Sequence, residues 1–245
     1  MRFTPLVLIP GLMCDGSVWS PMFPFLDTDL HYTIADHGTA DSLVQMARQI
    51  LDVVEGPMVL AGHSMGGRVA LEVVRLAPSR VRGLALMDTG YLPRGSGNPG
   101  VVEQDKRMAL LRIAQEQGVR AMAKEWVLGM VHPDRLADAH FIEHIVAMFE
   151  RKSAEVFACQ IHALLNRPDG GDVLRALKVP TLLQCGRQDA WSPPAQHEAM
   201  RTLAPAAALD VIENAGHMAP MEQPEAVAAS LNRWLLRCAS ESVLA

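Results

Sequence analysis

The sequence predicts an α/β fold built on a mostly parallel sheet. Short apolar runs alternate with longer segments of helical spacing along most of the chain. The short runs are apolar almost throughout rather than at every second residue, as strands covered on both faces require. The alternation breaks once, between about Tyr91 and Pro168, where helical patterns follow one another with no strand candidate between them.

Leu6-Val7-Leu8-Ile9 reads as the first strand, closed by Pro10-Gly11, and Tyr32 to Ala35 as the second. From Asp41 to Val54, Leu43, Met46, Ala47, Ile50, Leu51 and Val54 recur at helical spacing. Pro57 to Ala61 is a third strand. Met65 to Leu76 is a helix stopped at Ala77-Pro78, and Val81 to Met87 a fourth strand. Thr181 to Cys185 and Ala208 to Ile212 are two more, separated by a helix starting about Pro194. Pro224 sits in the first turn of a last helix ending near Arg237. Within the break, a Gly/Pro-rich linker over 93–100 leads into amphipathic helices at Val101–Gln117, Val119–Met130, Pro133–Arg151 and Ser153–Asn166. The expected organisation is a core from residues 1–90 and 169–245. Residues 91–168 form a helical lid inserted after the fourth strand, over the strand ends.

The totals narrow the function. The 245 residues are 49% hydrophobic and 20% charged, enough apolar material for one large core. The net charge of −5 and the lack of a basic patch argue against a nucleic-acid partner. The four cysteines (Cys14, Cys159, Cys185 and Cys238) show no metal-ligand spacing and read as reduced structural thiols. The run from Leu6 to Ile9 is too short for a signal-peptide core, and no stretch approaches the ~18 apolar residues of a membrane span. The expectation is a cytoplasmic protein, monomer or homodimer, acting on a small molecule without membrane contact.

Gly62-His63-Ser64-Met65-Gly66 fits the pattern G-x-S-x-G. The pattern is common by chance, and its context gives it weight. It follows the apolar strand Met58-Val59-Leu60-Ala61 and opens the helix containing Arg68-Val69-Ala70-Leu71. In such a strand–turn–helix setting a serine is forced onto a sharp elbow with its Oγ exposed. The glycines leave room where the backbone packs around the serine.

A serine hydroxyl needs an imidazole to take its proton. Among nine histidines, His217 sits in Asn214-Ala215-Gly216-His217-Met218, a loop between the last strand and last helix. Loops at the C-terminal ends of parallel strands are where such sheets place active groups. His132, His140, His144 and His162 fall in the helical insertion, and His63 adjoins the nucleophile but points another way. The orienting acid is expected at Asp189, just past the strand Thr181–Cys185, giving the order Ser, Asp, His. Asp88, at the end of the preceding strand, is the rival, with a structural role at the lid hinge the preferred reading. Oxyanion donors are assigned to the backbone N–H of Met65, after the nucleophile, and of Leu12, in the turn after the first strand.

These segments together resemble the α/β-hydrolase superfamily across nearly the whole chain. Pro10-Gly11-Leu12 with Trp19 is similar to its oxyanion segment, although many relatives have His-Gly where this chain has Pro10-Gly11. Gly62-His63-Ser64-Met65-Gly66-Gly67 resembles the elbow of its small bacterial esterase, enol-lactonase and C–C hydrolase branch. Gly186-x-x-Asp189 with Pro193, and Ala215-Gly216-His217 with Glu222 and Pro224, resemble the acid and base segments. The resemblance implies about six parallel strands. Serine at position 64 argues against the haloalkane dehalogenases and epoxide hydrolases, which carry aspartate there.

The expected reaction is transfer of an acyl group to water through an acyl-enzyme on Ser64, with no metal or organic cofactor. The lid is expected to line the substrate pocket through Met108, Met122, Trp126, Met130 and Met148, since flexible methionines allow an adaptable apolar wall. That favours a small or medium, mostly apolar carboxylic ester or lactone. The alternatives are a C–C bond hydrolase of a ring-fission-type diketone, an acyltransferase, and a non-catalytic ligand receptor on the same fold.

Overall fold

A computed structural model describes residues 4–27 and 30–242. Six parallel strands form one sheet: β1 (Leu6–Ile9), β2 (Tyr32–Ile34), β3 (Met58–His63), β4 (Val81–Met87), β5 (Thr181–Gly186) and β6 (Ala208–Ile212). Their spatial order is β2-β1-β3-β4-β5-β6. Every residue of β1, β3 and β5 is buried, which explains why these strands show no polar alternation. β2 is an edge strand, and there Tyr32 is half exposed and stacks on Phe23 at 4.8 Å.

The helices α1 (Leu43–Val53), α2 (Met65–Leu76), α8 (Pro194–Leu203) and α10 (Pro224–Ser242) connect or follow the strands. Ser42 caps α1 through the Gln45 N–H. The chain turns one way from β1 to β2 and the other way to β3, so the loops leaving β1 and β3 diverge. Such a switch point opens a crevice at the carboxyl ends of the strands.

Between β4 and β5 lie α3 (Asn98–Glu116), α4 (Val119–Trp126), α5 (Ala139–Glu150), α6 (Ala154–Leu165) and the short α7 (Gly171–Ala176). Local chemistry shifts several boundaries from those expected. α3 begins inside the predicted linker because Pro99 is tolerated in a first helical turn. The helix expected over Pro133–Arg151 is broken: Asp138 turns its carboxylate onto the Phe141 N–H and starts α5 afresh, after a 3-10 turn over Pro133–Ala137. The helix expected to Met130 tightens after Trp126 into a 3-10 turn. A further short helix, α9 (Ala219–Glu222), precedes α10, which runs past Arg237 to Ser242. Among the described residues no helix is long and apolar enough to cross a membrane.

Candidate active site

The crevice at the switch point is built around Ser64. β3 passes directly into α2 through Ser64, whose φ of 53° and ψ of −117° are strained for a residue with a side chain. Two glycines permit the turn. A Cβ at Gly62 would meet the Gly66 carbonyl, and one at Gly66 would meet that of Ile9. The elbow is pinned from both sides: the Ser64 N–H donates to Met87 O at 2.8 Å, and Thr89 Oγ1 donates to Ser64 O at 2.6 Å.

Ser64 Oγ lies 2.8 Å from His217 Nε2, and His217 Nδ1 lies 2.8 Å from Asp189 Oδ2. The other Asp189 oxygen accepts the N–H groups of Trp191 (2.8 Å) and Ser192 (2.9 Å). Burial pushes the Asp189 carboxyl up, but the His217 ring and these two N–H donors outweigh it and hold it at about 2. Asp88 stands elsewhere. Its Oδ1 accepts the Gly186 N–H at 2.8 Å, and Oδ2 is 4.0 Å from His63 Nε2. Burial and the charge of Asp189 raise the Asp88 carboxyl well above the usual range, which favours its neutral form.

The His217 backbone is held as firmly as its ring. His217 N–H donates to Met130 O at 2.6 Å, and His63 Nε2 donates to His217 O at 2.8 Å. Burial, then the neighbouring His217, lowers His63 to about 3, so it is neutral. Glu222, fully buried, accepts from Gly216 N–H (2.8 Å), Met218 N–H (3.2 Å) and His132 N–H (2.6 Å). It therefore fixes both flanks of His217. On the opposite wall, Gln160 of α6 accepts the Met13 N–H at 2.8 Å, fastening the turn after β1 to the helical segment. Met65 and Leu12 both face the crevice, and the Met65 N–H, first in α2, has no preceding helical turn to bond.

A family model for the alpha/beta hydrolase family matches residues 6–230. The chain belongs to the alpha/beta hydrolase family. A putative carbamate hydrolase, RutD, of Azorhizobium caulinodans is 29% identical over 216 residues, covering 78% of this chain and 75% of the relative. A thermophilic esterase from Thermogutta terrifontis superposes with a TM-score of 0.83 at 28% identity, over 96% of this chain and 90% of its own. An enol-lactonase from Burkholderia xenovorans shares the fold at a TM-score of 0.78 and 20% identity, over 95% and 92%.

In this hydrolase a cavity of about 660 Å³ opens above Ser64 and His217. Of the expected pocket residues, Trp126 and Met130 line it and three others do not. Met108 faces solvent on α3, while Met122 and Met148 are fully buried where α4 packs on α5. The apolar wall instead comes from Leu110, Phe149, Phe157, Ile161 and Leu164. Trp126 stacks on Trp191 at 5.8 Å, and Trp191 lies 4.9 Å from the His217 ring, shielding it. The wall is largely apolar, as expected, but it also carries a group of charges that the sequence did not foreshadow. Arg68, Lys106, Arg107 and Arg167 line it together with Glu103, because α2, α3 and the segment after α6 bring polar groups to the cavity as well.

Gln160, the contacts of Glu222 and the basic wall shape the site in ways the motifs do not show. Gln160 was legible as a polar residue on the apolar face that Phe157, Ile161 and Leu164 share at helical spacing. Glu222 resembles its family's base segment without revealing its three N–H partners. The basic wall is scattered from position 68 to 167, so only folding gathers it. Among the described residues no group of three or more His, Cys, Asp or Glu could hold a metal ion.

Proposed function

We propose that this chain is a serine hydrolase that transfers the acyl group of a carboxylic ester to water through Ser64. The supporting observation is the unbroken hydrogen-bonded line from Ser64 Oγ through His217 to Asp189 beneath the cavity. Asp189 accepts from Nδ1, which leaves Nε2 as the acceptor facing Ser64. As Oγ attacks the carbonyl carbon, its proton passes to Nε2, and the imidazolium is stabilised by Asp189. In this reading the Met65 and Leu12 N–H groups receive the oxyanion, and the N-terminus of α2 favours negative charge there.

His217 then gives the proton to the departing alkoxide. A water, deprotonated by the same nitrogen, attacks the acyl-Ser64 carbonyl and releases the acid and the free serine. Residues 91–168 act as the lid, and Trp191 and Trp126 limit water around the imidazole. Similarity to the Thermogutta esterase is consistent with an ester substrate. The test is a burst and turnover with short-chain aryl esters, together with labelling of Ser64 by an active-site phosphonate. No turnover above a Ser64→Ala control, with no labelling, would reject the reading.

A further inference from the structure

Arg68 lies on α2 four residues after Ser64, and both line the same cavity. Its Nη1 donates to Leu92 O at 2.9 Å, a neutral acceptor. Gly90 leaves it space: a Cβ there would stand 3.0 Å from Arg68 Nη2. Arg167, two residues past the end of α6, donates to the same Leu92 carbonyl at 3.2 Å. It also forks onto both Glu103 oxygens at 2.7 and 2.8 Å. Arg107 takes Glu103 Oε1 through Nε and Nη2, at 3.1 and 3.0 Å. Lys106 completes this wall without an ion-pair partner among the described residues.

Four cations therefore share the cavity lining with one carboxylate in a chain whose overall charge is −5. Glu103 already binds two of them, so the wall keeps an uncompensated positive excess at its Arg68 side. Such crowding is costly where water is partly excluded. Burial, then the charge of Arg167, pushes the Arg68 guanidinium down to about 9. An anion is the group that relieves this crowding. The forked Glu103 contact shows that the cluster's geometry accepts a carboxylate.

We propose that the substrate is an ester carrying a free carboxylate, which docks on the Arg68, Arg107 and Arg167 wall while the ester carbonyl sits at Ser64. The proposal rests on the serine-hydrolase reading for the position of the bond cleaved. Hydrolysis of such an ester adds one water, breaks the acyl C–O bond, and leaves the docked carboxylate unchanged. The apolar wall from Phe149 to Leu164 accommodates the chain between the two ends.

Two matched pairs of esters test this. Monoethyl adipate is compared with ethyl hexanoate, placing the charge on the acyl side, and 6-acetoxyhexanoate with hexyl acetate, placing it on the alcohol side. In at least one pair the charged member should have a kcat/KM about tenfold or more above its neutral partner, the factor of a hydrogen bond to a charged group. That preference should shrink severalfold in Arg68→Met, whose folding is checked by its melting temperature. Neutral members equal or preferred in both pairs would overturn the proposal, as would an unchanged preference in a folded Arg68→Met. The wild-type comparison decides alone should the variant not fold. If no ester is turned over above Ser64→Ala, the hydrolase reading fails, and the docking site is judged by binding. Adipate, and not 1,6-hexanediol, should then raise the melting temperature of the wild-type protein, and no shift would overturn the site.

Discussion

The backbone N–H of His217 donates to the carbonyl of Met130 across 2.6 Å, joining the loop after β6 to the helical segment between β4 and β5. The imidazole and the cavity roof are thus one hydrogen-bonded unit. Gly216 permits the approach, since a Cβ there would come 2.6 Å from the Val131 carbonyl carbon. Gly216→Ala should force the two segments apart. We expect a loss of about 1–3 kcal/mol in denaturant unfolding, typical of overpacking, with a fall in kcat.

Asp88 and Asp189 are both buried carboxyls at strand ends, yet their charge states differ. Asp189→Asn should cost about 10³- to 10⁴-fold in kcat, because the imidazole loses the acceptor that fixes its tautomer. Asp88→Asn should stay within about tenfold of wild type, because a neutral amide replaces a carboxyl already held neutral. Kinetics of the two variants side by side check this, and equal losses would reverse the assignment.

Gln160 reaches the turn that carries Leu12 by accepting the neighbouring Met13 N–H. Gln160→Leu would strand that buried donor at a cost of about 1–3 kcal/mol. If the turn supplies an oxyanion donor, kcat should drop while KM changes little. A rise in KM alone would show that Gln160 serves binding and not the transition state.

Glu222 gathers three N–H groups with two oxygens. In Glu222→Gln one acceptor becomes an NH₂ facing another donor. Destabilisation of about 1–3 kcal/mol is expected, and the His217 loop should show faster amide hydrogen exchange than in wild type.

Acid should unfold the protein through its buried neutral imidazoles. Burial lowers His63 to about 3 and His37 to about 4, and neither His37 ring nitrogen has a hydrogen-bond partner among the described residues. Both lie below the unfolded value of about 6.5, so the unfolded chain binds protons first. The stability these groups confer is complete above about pH 6.5 and is lost as the pH falls toward 4 and then 3. Asp189, held at about 2, adds a further loss below about pH 4. Urea midpoints measured down the pH scale should decline accordingly, and His37→Leu should flatten the decline above about pH 4.

Much of this architecture is written locally. The central strands could be located because a strand buried on both faces must be apolar at every position, as β3 is from Met58 to Ala61, while the edge strands β2 and β6 are only partly covered. The elbow could be located because Gly62 and Gly66 bracket Ser64 between a strand and a helix. Boundaries inside 91–168 were less legible. There, capping by Asp138 and the tightened turn after Trp126 override a continuous apolar period.

The sequence by itself determined the fold class, the family resemblance and the positions of Ser64 and His217 at an elbow and a strand-end loop, since these depend on periodicity and short-range turn chemistry. Tertiary structure alone decided which carboxylate reaches the imidazole, because Asp88 and Asp189 both end strands and differ only in what surrounds them. It also decided what faces the cavity. Periodicity marks a buried face without saying whether it meets a core or a cavity, so Met122 and Met148 went inward while Trp126 and Met130 reached the cavity. Charges as distant in the chain as Arg68 and Arg167 meet only because the chain between them folds back over the sheet.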